Sequence, residues 1–256
     1  MSAFGSYSRY YDLLYKDKEY AKEADYIHGL IQQYAPKTRT LLDLGCGTGK
    51  HDFLLAEKGY SVHGVDMSET MLQEAKKRKP AKDSKLKSMP EFSQGDIRNF
   101  RLDKKFDAII SLFHVMSYQV TNKDLTDAFQ TAKHHLNDGG IFIFDCWYGP
   151  CVITEKPLVK VKTLEDEKIK VLRIAEPAIF ANENRVDVNY RIYISDKSTN
   201  KTEEINETHH IRYLFKPEIE KQFEETGMKL LHCEEWMTAG KPGFDTFGVC
   251  FIGGVQ

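Results

Sequence analysis

"LLDLGCGTGKH", residues 41–51, decides the fold. Three glycines fall at alternate positions, Gly45, Gly47 and Gly49, directly after an apolar run, and Asp43 stands two residues before the first. Glycines so placed let the backbone turn sharply and approach a ligand closely. Two phosphate-binding readings fail. A dinucleotide loop, G-x-G-x-x-G, needs a small residue where Lys50 stands. A G-x-x-x-x-G-K-[ST] loop fits at Gly49-Lys50 but meets Leu44 at its opening and His51 at its close.

Outward from this loop, the chain alternates. "TLLDLG" is a short apolar strand, "KHDFLLAEKG" a helix stopped by Gly59, and "SVHGVD" (61–66) a second strand. "SETMLQEAKKR" is a helix with Ser68 as N-cap and Met71, Leu72 and Ala75 on one face. A third strand lies near "PEFSQGD", a fourth is "FDAIISLF" (106–113), and "NKDLTDAFQTAKHHL" is an amphipathic helix before Asp138-Gly139-Gly140 and "IFIFDCW". Strands alternating with helices imply a parallel sheet covered on both faces. Ahead of them, residues 7–35 carry apolar side chains at helical steps up to Pro36, and a helix is expected there.

After Trp147 the pattern becomes β-rich. "LVKVKTL", "IKVLRIAE", "RVDVNYRIYIS" and "ETHHIRYLF" read as an antiparallel inserted sheet with one covered face. "KPEIEKQFEETG" returns to helix, and "MKLLHCEEW" and "FGVCFIGGV" close as a hairpin on the main sheet. The expected organisation is 1–150 for an N-terminal helical segment and core, 151–215 for the insert, and 216–256 for the return to the core.

The 256 residues suffice for one large or two small domains, and 41% hydrophobic with 29% charged residues is an ordinary globular balance. A net charge of −2 gives no global attraction to nucleic acid or an anionic membrane. Five cysteines without a C-x-x-C pair read as reduced thiols of a cytoplasmic protein. "MSAFGSYSRYYDLLY" lacks the apolar centre of a signal peptide, and no run approaches the roughly eighteen apolar residues of a membrane span.

Asp43-Leu44-Gly45-Cys46-Gly47-Thr48-Gly49 matches, at every defined place, the acidic-x-G-x-G-x-G loop of the class I S-adenosylmethionine (SAM) methyltransferases. The chain resembles that family along its full length: the glycine motif, Asp66 ending strand two, Gly95-Asp96-Ile97 after strand three, Asp138-Gly139-Gly140 before strand five, and a terminal hairpin. The expected fold is α/β, a Rossmann-like seven-stranded class I methyltransferase sheet with an inserted antiparallel β-sheet. Ligands of open α/β sheets bind at the carboxyl ends of the strands. Gly45 and Gly47 would admit the methionine part of SAM, and Asp66 would accept from both ribose hydroxyls. Asp96 would accept the adenine amino group, Ile97 and Met67 would sandwich the ring, and Leu112 would lie beside the methyl donor.

"YDLLY...DYIHGLI", "DMSETMLQEAKKR", "GDIRNFRLDKKFDAIISLF" and "LFKPEIEKQFEETGM" are similar to the nucleotide-amino-sugar N-methyltransferases of macrolide biosynthesis. That resemblance implies an insert that covers the substrate and helps to form a homodimer, with the N-terminal aromatic segment over the cofactor. It puts Tyr11 at the SAM carboxylate end, Tyr118 on the acceptor side, and His114 one turn away as a second candidate to orient the nucleophile or accept its proton. Tyr7, Trp147 and Arg212 are the substrate-side candidates. An arginine that the family carries near its C-terminal strand is missing: "GKPGFDTFGV" offers only Lys241. Arg185, Arg191, Arg212 and Lys241 are the basic groups expected to meet a diphosphate.

The reading is therefore SAM-dependent methyl transfer to a small soluble acceptor, the amino group of a dTDP-linked deoxysugar. The alternatives are another small amine or hydroxyl, such as an amino acid or a phenol, or a SAM-binding protein without turnover. The basic run at 76–87 has no interleaved aromatics for stacking on nucleic acid. The adjacent pairs His134-His135 and His209-His210 point apart on a helix or strand, so no metal is expected.

Overall fold

The computed structural model describes residues 13–80 and 86–255, so Tyr7 and Tyr11 lie outside the described residues. Strands β1 (Thr40–Leu44), β2 (Ser61–Asp66), β3 (Glu91–Gln94), β4 (Phe106–Ser111) and β5 (Leu136–Trp147) run parallel. β10 (Lys229–Glu235) and β11 (Gly248–Gly254) form the closing hairpin, with β11 antiparallel to β5. The seven-stranded order is β10-β11-β5-β4-β1-β2-β3. The order reverses between β1 and β4, and such a switch point opens a crevice at the strands' carboxyl ends.

Continuous apolar strands explain the two-sided burial. Leu42, Phe142, Phe144 and Phe251 face one layer, where Phe129 of α4 (Asn122–His135) and Phe223 of α6 (Lys216–Glu225) complete an aromatic cluster. Leu41, Ile110, Ile143 and Ile252 face the other, under α1 (Tyr20–Tyr34) and α2 (Lys50–Glu57). Ser68 caps α3 (Glu69–Lys77) by accepting from the Met71 amide. At α4, Thr121 and Asp124 form a reciprocal capping box.

The second sheet is antiparallel, in the order β6 (Lys160–Glu165), β7 (Ile169–Phe180), β8 (Arg185–Asp196) and β9 (Thr202–Arg212). Its inner face meets the main body in two apolar clusters, one around Val171, Ile192 and Leu14, the other around Val186, Ile211 and Tyr213. A parallel bridge, Tyr148 to Leu214, joins the chain where it leaves β5 to the chain where it returns from β9.

Two details depart from the sequence reading. The long N-terminal helix is interrupted: the described part has a helical turn at Leu13 and Leu14, then a turn, and α1 begins only at Tyr20. Lys16-Asp17-Lys18-Glu19 offers no apolar residue to continue the buried stripe. A short helix, α5 (Gly149–Thr154), stands between β5 and the insert, with Pro150 in its first turn where a missing N–H costs nothing.

Candidate active site

The carboxyl ends of the central strands and the inner face of the second sheet enclose a cavity of about 360 Å3. Gly45, Gly47, Asp43, Asp66, Met67 and Asp96 line it from the first three strand ends. Ile97, Leu112, His114, Tyr118 and Trp147 complete the group that the sequence brought forward. Arg212 is not among the lining residues.

The glycine loop divides its labour. All three glycines hold positive φ: 96° at Gly45, 54° at Gly47 and 71° at Gly49. A Cβ on Gly45 would come within 2.6 Å of the Val115 side chain, and one on Gly49 within 2.8 Å of Phe92. Those two are required by packing. Gly47 has nothing within 4 Å of the place a Cβ would fill, so this is where a ligand can approach the backbone. The Gly45 and Cys46 amides donate to the Val65 carbonyl at 2.7 and 3.0 Å. Arg78, from the basic run, donates through Nε to the Thr48 carbonyl at 3.1 Å and so braces the loop.

Asp66 accepts the Gly47 amide at 2.8 Å on one oxygen and the Ser68 amide at 2.8 Å on the other. Burial raises its pKa, while these two donors pull it back. An ionised carboxylate has about four acceptor positions, so two remain for a diol. Asp96 is different from expectation: Arg98 grips it through Nε at 2.9 Å and Nη2 at 2.5 Å and reaches Asp124 at 3.0 Å. The Arg98 fork lowers the Asp96 pKa. Any adenine contact is thus made by a carboxylate already fixed in place. Ile97 is buried behind it, and Met67 stands 56% exposed at the mouth.

Asp43, at the end of β1, is 1% exposed and Asp52, on α2, is 0% exposed. Neither Asp43 Oδ1 nor either Asp52 oxygen receives an N–H or O–H from elsewhere in the protein. The two carboxyl groups are close enough for each to act on the other's ionisation. Burial, and for Asp43 the charge of Asp52 and Asp66, raises both; Asp52 is pushed up to about 7.

The end of the cavity nearest β4 and β5 is built on strained backbone. Phe113 and His114, two consecutive non-glycine residues, hold φ of 65° and 63°, a conformation that persists only where surroundings enforce it. Asp145, at 1% exposure, does so by accepting the His114 amide at 3.1 Å. His114 Nδ1 also approaches Asp145 at 2.7 Å, off the ring's N–H axis. The one-turn 3-10 helix Val115–Tyr118 then aims the Tyr118 hydroxyl at His209 Nδ1, 2.8 Å away on the second sheet. Burial, and the nearby Tyr190, Tyr15 and Glu207, push the Tyr118 phenol well above its ordinary range. On the opposite side, Lys50 lies 4.7 Å over the Tyr20 ring, and His51 bonds Glu23 at 2.7 Å.

The arginines predicted to meet a phosphate are engaged elsewhere. Arg212 bonds Glu218 and Asn122. Arg185 pairs with Glu183 and Asp187, and Arg191 with Glu176. Lys241 lines a separate depression beside Lys216 and Glu220. Sequence reading passed over Arg173: it lies 5.0 Å over the Tyr190 ring, and its Nε and Nη1 are buried without a partner. His209 and Tyr190 also line the cavity, and no local pattern announced them. The rule that adjacent strand residues point apart sorts the histidine pair: His209 faces inward, and exposed His210 bonds Asp187 at 2.7 Å.

Residues 41–140 match the model of a methyltransferase domain family. Over 239 residues, 93% of this chain and 94% of the relative, the chain is 29% identical to the dTDP-3-amino-3,4,6-trideoxy-alpha-D-glucopyranose N,N-dimethyltransferase of Streptomyces venezuelae. The crystal structure of Streptomyces venezuelae DesVI matches with a TM-score of 0.76 and 27% identity, covering 96% of this chain and 97% of that one. A SAM-dependent methyltransferase structure from Clostridium acetobutylicum matches with a TM-score of 0.81 at 23% identity and 96% of both chains, a likeness of fold.

Proposed function

We propose that this chain, a SAM-dependent N-methyltransferase, methylates the amino group of a deoxysugar carried on dTDP. The observation that carries the acceptor is Arg173. Of the four arginines on the described second sheet, it alone has no carboxylate partner, and its guanidinium lies over the ring of Tyr190, which lines the cavity. Two inaccessible guanidinium nitrogens without an acceptor are costly in a half-buried side chain, and a diphosphate supplies two acceptors in the geometry that arginine prefers. The relative from Streptomyces venezuelae is named for a dTDP-amino-sugar, which supports the same class.

SAM supplies a methyl carbon made electrophilic by its sulfonium. The chain's part is to hold and align. Asp66 takes the ribose hydroxyls, Ile97 and Met67 flank the adenine, and Asp96 accepts its amino group. The open side of Gly47 admits the amino-acid end, with Asp43 beneath, and Tyr11 is the candidate for its carboxylate. Leu112 borders the methyl group, and Tyr7 and Trp147 hold the sugar. Placing an amine in line behind that carbon is worth roughly 7–11 kcal/mol of barrier. Tyr118 and His114 orient the nucleophile. Residues 151–215 serve as the cover between the core segments 1–150 and 216–256, and the exposed Leu158, Val159 and Val161 of the insert are where two copies meet in a homodimer. The protein works in the cytoplasm, where its cysteines stay reduced.

The test compares a dTDP-linked amino sugar with the same amino sugar free of nucleotide, reading S-adenosylhomocysteine release. The nucleotide-linked form is expected to react far faster, because remote binding energy positions the reacting end. Equal rates, or turnover of an amino acid or phenol with no nucleotide sugar accepted, would reject the reading.

A further inference from the structure

The inner face of the second sheet is not uniformly apolar. Between the cluster around Val171 and Ile192 and the cluster around Val186 and Ile211 runs a polar stripe: Arg173 on β7, Tyr190 on β8, and Glu207 and His209 on β9. The His209 and Glu207 side chains are only 3% and 8% exposed. His209 Nδ1 meets the Tyr118 hydroxyl at 2.8 Å, and His209 Nε2 faces Glu207 Oε2 at 3.4 Å. The Tyr190 ring packs edge-on against the imidazole at 5.0 Å. Tyr118 and His209 both line the cavity. Polar side chains in the middle of a packed sheet face are costly unless they serve one another or a ligand.

We infer that Glu207, His209 and Tyr118 form a proton relay that strips the substrate ammonium before each methyl transfer. The inference rests on the amine-acceptor reading above. At neutral pH a sugar amine arrives protonated and has no lone pair to offer, and a monomethylated product is again an ammonium. With His209 Nε2 protonated toward Glu207, Nδ1 accepts from the Tyr118 O–H. The ammonium N–H bond breaks, its proton passes to the Tyr118 oxygen, and the Tyr118 proton passes to His209 Nδ1. The amine keeps the electron pair, which then forms the N–C bond as the S–C bond breaks and its pair stays on sulfur. Burial holds the Tyr118 phenol above its usual range, so the phenol hands the proton on rather than ionising. Glu207 stabilises the imidazolium that results. Among the described residues, the charged and titratable groups facing His209 are Glu207 on its own strand, Tyr190 on β8, Arg173 behind that ring, Tyr118, and Tyr15 beside Tyr118 and Tyr190. His114, bound to Asp145 on the main sheet, is outside the relay.

The experiment measures kcat and kcat/KM against pH for wild type, His209→Asn, Glu207→Gln and Tyr118→Phe. The acceptor is whichever amine of a panel reacts, with a dTDP-linked amino sugar among them. Wild type should show an acid limb of histidine character. His209→Asn should lose about a hundredfold in kcat and lose that limb. Tyr118→Phe should show the same loss of limb, and Glu207→Gln should move the limb to lower pH, because an imidazolium without its carboxylate is less stable. Calorimetric binding of S-adenosylhomocysteine confirms that each variant is folded; should His209→Asn fail it, Tyr118→Phe and Glu207→Gln decide. Wild-type kcat and an unchanged limb in the folded variants would overturn the relay and leave the dTDP-sugar reading standing. Turnover of other amines but not the nucleotide sugar would sink that reading while the ratios still judge the relay. No amine turnover at all would end both.

Discussion

Asp43 and Asp52 bury their carboxyl groups beneath the glycine loop, and burial together with the charge of Asp52 and Asp66 holds the Asp43 carboxyl well above the usual carboxylate range. An ammonium group arriving at Asp43 favours the ionised form. SAM binding near neutral pH is therefore expected to release a proton. Calorimetry in two buffers of different ionisation enthalpy reads this directly; identical heats in both would remove Asp43 from the cofactor's ammonium end.

The same pair sets a pH dependence of stability. Both pKa values are raised, so the folded protein keeps a proton that the unfolded chain gives up. Stability should fall as pH rises above the ordinary carboxylate value of about 3.9, through about 7, where Asp52 titrates, and go on falling until Asp43, also raised, has ionised. Asp52→Asn should flatten that slope in urea unfolding across the window. Parallel curves for the two proteins would contradict the raised carboxyl groups.

Asp66 has two backbone donors and two acceptor positions to spare. Asp66→Ala removes two charge-assisted bonds to the ribose, about 3 kcal/mol, or roughly a hundredfold in SAM affinity. Asp66→Asn controls for loosening of the loop, since it keeps the side chain's shape. Wild-type affinity in a folded Asp66→Ala protein would refute the assignment.

Arg173 and Arg212 should behave as opposites. Arg173→Ala is expected to raise KM for the nucleotide-linked sugar by tenfold or more, at about 1.4 kcal/mol per tenfold, and to leave the nucleotide-free sugar unaffected. Arg212 is 6% exposed and bound to Glu218 and Asn122. Arg212→Ala leaves Glu218 without its partner and should lower stability by about 3 kcal/mol, visible as a fall in unfolding midpoint. If both variants raise only KM, the diphosphate assignment is misplaced.

Turnover is expected to survive EDTA. The sulfonium already activates the methyl group, and among the described residues no group of three or more His, Cys, Asp or Glu stands ready to hold an ion. Loss of activity restored by a divalent cation would point instead to metal-assisted O-methylation.

The candidate cofactor residues could be picked out because they sit at the ends of strands. Each strand end is visible in a short window, as with Asp43, Asp66 and Leu112. A parallel sheet gathers such ends without further information. The acceptor half is different in kind. His209 meets Tyr118 only through the β8–β9 register and the docking of a whole sheet. Neither leaves a mark in the neighbourhood of His209. The unpaired state of Arg173 was hidden for the same reason, and the pairing of Arg212 with Glu218 could not be seen because a free arginine and a paired one look alike in a sequence. Asp52 reads as an ordinary polar residue on the first turn of a helix, yet it is wholly buried.

The bridge from Tyr148 to Leu214 brings the chain back to the place it left. Everything between these residues is an excursion with its ends already tied together, so replacing it need not disturb the spacing of β5 and α6. On the proposed reading, the wall that faces the acceptor can therefore be traded, lengthened or redesigned while the strand-end pocket stays constant. A chimaera that takes this excursion from a relative with another substrate should inherit the relative's taste and keep its own grip on SAM.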